Sequence, residues 1–215
     1  MLKKSVFIAA MSLASVSAFA TNLVTDGSFE DQAQAASTWG IYSSIPGWAA
    51  VSPGQIELRN NVAGTAQDGV NFVELDANFN SAMQQVVSTV AGQAYSLSFW
   101  YSSRPISVYN SAFPGDIVPA DSNGLTFNVG AGDVSVYVAT ENDMTDNDWK
   151  LYTTSFTATG ASTTLTFTAV GTNDSYGTSL DNVVLTAVPE PGEGALIVAG
   201  LLGIAGLARR RNRHS

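Results

Sequence analysis

Ala94-Tyr95-Ser96-Leu97-Ser98-Phe99-Trp100-Tyr101-Ser102 is the stretch that decides the fold class. Tyr95, Leu97, Phe99 and Tyr101 fall on one side of it, and Ser96, Ser98, Trp100 and Ser102 on the other. Alternation with a period of two is that of a half-buried β-strand, because successive side chains point to opposite faces of a sheet. Trp100 breaks the pattern on the polar side, where it is an aromatic ring among hydroxyls.

The same texture extends outward in both directions. Short alternating or β-branched runs occur at 22–24, 55–59, 70–76, 83–90, 125–129, 134–138, 151–158, 163–170 and 179–187. They are separated by turn signals such as Ile45-Pro46-Gly47-Trp48, Asn60-Asn61, Asp68-Gly69 and Ala91-Gly92. Between residues 21 and 187 no segment keeps a helical period and no internal repeat is found. Roughly ten short strands with closely spaced turns predict an all-β chain, a jelly-roll sandwich of antiparallel strands. One connection, 103–123, carries Pro105, Pro114, Gly115 and Pro119; connections of that length are uncommon unless functional.

The two ends read differently from the middle. Lys3 and Lys4 precede an apolar run at 6–16, and Ala18-Phe19-Ala20 has the small-x-small form of a cleavage site, so residues 1–20 read as a signal peptide. At the other end Val188-Pro189-Glu190-Pro191 stops the last strand. An apolar stretch at 195–208 follows, shorter than the ~20 residues of a comfortable span, and then Arg209, Arg210, Arg211 and Arg213. This order of parts, residues 188–215, resembles the PEP-CTERM sorting signal of Gram-negative bacteria, made of a motif (188–191), a short transmembrane helix (195–208) and a basic tail (209–215). The resemblance implies recognition by the membrane protease-transpeptidase exosortase, removal of the helix after transient anchoring in the inner membrane, and delivery to the cell surface or the extracellular matrix. Residues 21–187 are then the mature domain, long enough for a sizeable core.

The chain carries a formal charge of −9, but that figure understates the acidity of the middle. Arg59, Arg104 and Lys150 are its basic residues, while every Asp and Glu lies between Asp26 and Glu193. Such a surface repels nucleic acid and suits cations. The chain has no Cys, and its one His is His214. Residues 21–187 therefore hold no Ser-His-Asp or Cys-His apparatus and none of the usual zinc ligand sets.

Three segments carry a second resemblance. Asn22-Leu23-Val24 with Gly27-Ser28-Phe29-Glu30 opens the domain, Tyr95 to Tyr101 lies in the middle, and Leu180-Asp181-Asn182-Val183-Val184-Leu185 closes it. Together they look like the galactose-binding-like jelly rolls, a superfamily that includes many bacterial carbohydrate-binding modules and a plant cell-wall domain of unknown function. The resemblance implies a structural calcium shared by Glu30 and Asp181, joining the first strand to the last. The residues by themselves allow another reading, with Glu30 solvated and Asp181 capping a turn. Asp76-Ala77-Asn78-Phe79-Asn80 begins like a calcium loop, but Ser81 stands where an EF-hand requires Gly and Val87 where it requires Glu, so an Asn-rich turn is expected. Asp143, Asp146 and Asp148 read as a solvated acidic hairpin leading to Trp149.

Aromatic rings stack on the apolar faces of sugars when exposed among polar neighbours. Trp39, Trp48, Trp100, Tyr109 and Trp149 are the rings to consider. Trp100 with Arg104 forms the expected rim of a binding site, with Arg59 as a second donor and Trp48 as a further ring; packing inside the sandwich is the competing role for each. The expectation is a non-enzymatic surface or matrix protein that binds polysaccharide. A purely structural matrix protein is the alternative, and a glycoside hydrolase or lyase using two of Glu57, Glu74 and Asp76 is a further one. No spacing in the sequence places two carboxylates across a cleft, as such an enzyme needs.

Overall fold

β-Branched and aromatic residues at alternate positions form twelve strands: β1 (Thr38–Tyr42), β2 (Ser44–Ile45), β3 (Trp48–Ala50), β4 (Ile56–Asn60), β5 (Asn71–Glu74), β6 (Ala82–Ser88), β7 (Ala94–Ser103), β8 (Gly124–Asn128), β9 (Asp133–Tyr137), β10 (Lys150–Thr157), β11 (Ser162–Val170) and β12 (Thr178–Ala187). The structure is a computed structural model that describes residues 21–51, 53–105, 124–130, 133–137, 146–173 and 175–189. The signal peptide, Glu190 and Pro191 with the tail beyond them, Tyr109 in the long connection, and Asp143 lie outside the described residues. Among the described residues there is no helix, and none is long and apolar enough to cross a membrane.

The strands make two antiparallel six-stranded sheets, ordered β1-β4-β5-β12-β7-β10 and β2-β3-β6-β11-β8-β9. The chain is thus an all-β sandwich, as the period-two pattern requires. The last strand, β12, lies inside the first sheet, between β5 and β7. Its pairing with β7 shifts between Asp181 and Val184, where Asn182 takes a positive φ of 48°. This bulge bends β12 and leaves both Leu180 and Val183 facing inward with Leu185, all fully buried.

The core lies between the sheets. Ile56, Leu58, Val73, Leu75, Leu97 and Phe99 enter from the first, and Met83, Leu125, Phe127, Leu165 and Phe167 from the second. Phe99 is its centre, with the rings of Phe127 at 5.3 Å and Phe167 at 5.1 Å, both edge-on. That geometry is favoured by the opposed charges of ring faces and edges.

The opening segment is not the strand expected at 22–24; the first strand of the structure starts at Thr38. It lies along β12 nonetheless. Leu23 N–H donates to Leu185 O at 2.8 Å, and the Asn22 side chain accepts from Leu185 N–H at 2.9 Å and donates to Val183 O at 3.2 Å. A side-chain amide thus takes the place of a ladder rung, which is the local competition that polar side chains offer to sheet pairing. Two residues on, Thr25 exchanges two hydrogen bonds with Gln85 of β6, at 2.7 and 2.9 Å. The segment therefore ties the first sheet to the second. Gly27 permits the close approach, since a Cβ there would run into the Val183 carbonyl.

Candidate functional site

The outer face of the first sheet, turned away from the core, gathers the residues singled out by the sequence. Trp39 stands opposite Arg59, Arg59 opposite Phe72, and Trp100 opposite both Asp181 and Leu151. The face has two parts, a covered ionic centre and an open strip.

Over the centre, residues 61–70 and Trp149 form a roof. Trp149 packs edge-on against Phe72 at 5.8 Å and donates its indole N–H to Thr65 O at 2.9 Å. Asp146 accepts from Thr65 N–H at 2.8 Å and from its hydroxyl at 2.9 Å. Asp146 thus fastens the two roof segments together, beyond the solvated role expected of it. Phe72, on the outer side of β5, is completely buried as a result.

Beneath the roof lies an ion network. Arg59 Nε donates to Glu57 Oε1 at 2.8 Å, and its Nη2 lies 2.9 Å from Glu74 Oε2, an ion contact outside hydrogen-bonding angles. Arg104 Nη1 approaches Glu74 Oε1 at 3.3 Å and donates to Ser175 O at 2.6 Å, while its guanidinium stacks on Tyr176. Gly177 N–H also donates to Glu74 Oε1, at 3.1 Å. Burial raises the Glu74 carboxyl to about 7, against the pull of Arg59 and Arg104. Arg59 is only 2 % exposed. It is therefore corrected from a donor at a binding rim to a buried counter-ion: two carboxylates on neighbouring strands of the same face draw it inward. Arg104 is partly exposed but held by Glu74, Ser175 and Tyr176.

Glu30 and Asp181 grip one loop. Glu30 Oε1 accepts from Val70 N–H at 2.8 Å and Asn71 N–H at 2.6 Å. Asp181 Oδ2 accepts from Gln67 N–H at 2.8 Å and Asp68 N–H at 2.9 Å, and its Oδ1 from Asn182 N–H at 2.6 Å. Burial nonetheless outweighs these donors and raises the Asp181 carboxyl to about 7. Three of the four carboxylate oxygens accept backbone N–H groups, so in this structure the two side chains serve as clamps on the loop. Among the described residues no cluster of three His, Cys, Asp or Glu side chains could hold a metal ion. Gly69, at φ +70°, closes the loop, and a Cβ there would meet the Glu30 carboxyl.

The open strip lies beside the centre. Trp100 is half-buried. Around it Ser98 pairs with Thr153 and Val184, and Ser96 with Ser155 and Thr186. Leu151 beside Trp100 is 53 % exposed. Trp39, on the edge strand β1, is 56 % exposed. Trp48 is corrected to a core residue. It is 2 % exposed, its ring lies 5.9 Å from both Phe29 and Phe167, and its N–H donates to Asp26 O at 3.1 Å. The Pro46-Gly47 turn between β2 and β3 directs it inward. Asp76 and Asn80 form the expected turn, closed by an isolated bridge.

Glu57, Glu74 and Asp76 are all buried, at 5 % exposure or less. Glu57 and Glu74 share Arg59 instead of facing each other across a gap. Sequence reasoning missed the roof and the N–H clamps, since neither has a local signature: each joins residues dozens of positions apart.

Residues 22–186 match a family described as a protein of unknown function, DUF642. A curated relative, halomucin of Haloquadratum walsbyi, is 29% identical over 188 residues, which are 83% of this chain and 2% of halomucin. The chain thus spans a small fraction of that relative's length. Among solved structures, TmCBM61 in complex with beta-1,4-galactotriose gives a TM-score of 0.45 at 16% identity, over 78% of this chain and 99% of that one. The CBM22-1 xylan-binding domain from Paenibacillus barcinonensis Xyn10C gives 0.43 at 15% identity, over 80% of this chain and 97% of that one. A CBM35 from Paenibacillus barcinonensis gives 0.40 at 15% identity, over 70% of this chain and 99% of that one. Since one family spans nearly all of the sandwich, from the opening segment to β12, the chain belongs to the DUF642 family.

Proposed function

We propose that this sandwich binds polysaccharide without cleaving it, on the open strip of the first sheet, and that the chain is exported and carried to the cell surface or matrix by its C-terminal signal, with exosortase as processing partner. The observation that carries the binding reading is Trp100. Its indole stands half-buried on an outer β-face, with Leu151 directly opposite, Ser98 and Thr153 the next pair along the strands, and Ser96 and Ser155 the pair beyond. A ring held by its strand and surrounded by hydroxyls offers an apolar plane to a sugar ring and hydrogen-bonding groups to its hydroxyls. The carboxylates a hydrolase would use are buried, Glu57 and Glu74 beside Arg59 and Asp76 accepting from Ser175 N–H, so no hydrolytic step is assigned to them.

Affinity gel electrophoresis of the purified full chain in gels containing soluble polysaccharide tests the reading. Retardation by at least one glycan, lost in Trp100→Ala, is the expected result. Free migration in every gel would overturn it and favour a purely structural matrix role.

A further inference from the structure

We infer that the glycan taken by this face carries no carboxylate or sulfate groups; this rests on the polysaccharide-binding reading above. Residues 21–187 contain three basic side chains and sixteen acidic ones. The two arginines are engaged, and the lysine stands beside a carboxylate. Arg59 is enclosed by Glu57 and Glu74, at 2.7 and 2.9 Å. Arg104 lies 3.3 Å from Glu74 and donates to a backbone carbonyl. Lys150 lies 3.6 Å from Asp148.

A uronate or sulfate is recognised by a guanidinium or ammonium group that it can neutralise. On this domain that group would first have to leave a carboxylate, and the glycan would approach a surface whose net charge already repels it.

The residues of the strip include no cation. The strip around Trp100 supplies Ser96, Ser98, Thr153, Ser155 and Thr186, with Val184 and Leu151. The carboxylate paired across from Trp100 is Asp181, which is fully buried and accepts three backbone N–H bonds. Asp68, whose N–H is one of those three, is itself exposed. Hydroxyls, an aromatic plane and an acidic side chain are what the contact offers, and none of these neutralises a uronate or a sulfate.

The full chain is run in affinity gels containing a neutral glucan, galactan or xylan, a polyuronate, and a sulfated glycan, each at low and high salt. Retardation in at least one neutral gel, unchanged by salt and lost in Trp100→Ala, with free migration in the polyuronate and sulfated gels, is expected. Retardation by the polyuronate or the sulfated glycan overturns the inference while leaving polysaccharide binding in place. Free migration in all gels overturns both.

Discussion

Arg59 Nη2 lies 2.9 Å from Glu74 Oε2 in a setting where both side chains are almost wholly removed from water. Neither charge is stable there alone. Transferring an ion from water to a protein interior costs several kcal/mol after relaxation, and a partner offsets this only when it is close. Glu57 and Arg104 complete the set, two cations against two carboxylates. Neighbouring β4 and β5, the end of β7 and the loop before β12 are thereby tied at one point.

Removing the arginine should therefore cost more than its packing alone. Arg59→Met leaves Glu57 without its ion partner and Glu74 with Arg104 alone, so a loss of about 3–5 kcal/mol is expected. Arg59→Lys retains the charge but lacks the planar fork that reaches both carboxylates, so its loss should be smaller. Urea unfolding of the purified proteins measures both. Equal stability of wild type and Arg59→Met would show that the network contributes nothing.

Glu74 and Asp181 give stability a direction in pH. Each carboxyl is raised by burial to about 7, from ordinary values of 4.5 and 3.8. Between the ordinary values and about 7 the folded state binds more protons than the unfolded chain. Stability should therefore fall as pH rises through that window and level off above it. Melting temperatures from pH 5 to pH 8 check the sign, and a rise toward pH 8 would refute it. Asp181→Asn should flatten part of the slope.

The carboxylate grip on residues 67–71 makes Gly69 sensitive. An added methyl meets the Glu30 carboxyl and places a Cβ on a residue at φ +70°, so Gly69→Ala suffers twice. A loss of about 1–3 kcal/mol is the scale for strain of this kind. Because no three acidic or imidazole side chains gather at a metal-binding distance among the described residues, a chelator should leave the wild-type melting temperature unchanged, whereas Asp181→Ala should lower it. A drop on chelation would instead mean that calcium is held in the way the family resemblance implies.

The parts of the fold visible in the sequence are those with local causes. Alternation in residues 94–102 marked β7, its buried face, and the outward ring of Trp100. The turn signals at Pro46-Gly47 and Asp68-Gly69 also recur in the structure. Trp48 was misread because a ring just after an exposed turn looks available until the hairpin is seen to fold it inward. Arg59 was misread because alternation gives the face of a sheet and says nothing about whether another segment covers that face. The roof over it depends on Trp149 meeting Phe72 and on Asp146 meeting Thr65, contacts between residues remote in sequence. The meeting of Glu30 and Asp181 at one loop was anticipated only as a closeness of the two ends, with a different chemistry.

Two tryptophans separate folding from binding. Trp48 is 2 % exposed between Phe29 and Phe167, so Trp48→Ala opens a cavity beside the centre of the core. A loss of about 3–5 kcal/mol is expected from a large-to-small change of that kind. Trp100 projects from the opposite face of its sheet, where removal of the ring leaves no cavity between the sheets, and about 1 kcal/mol is the expected cost. Affinity for a glycan should respond in the reverse order. Trp100→Ala should abolish retardation in a neutral-polysaccharide gel while melting near the wild-type temperature. Trp48→Ala, assayed well below its lowered melting point, should retain it. Loss of retardation in both variants alongside equal loss of stability would mean that the outer face binds nothing, and that Trp100 serves packing as Trp48 does.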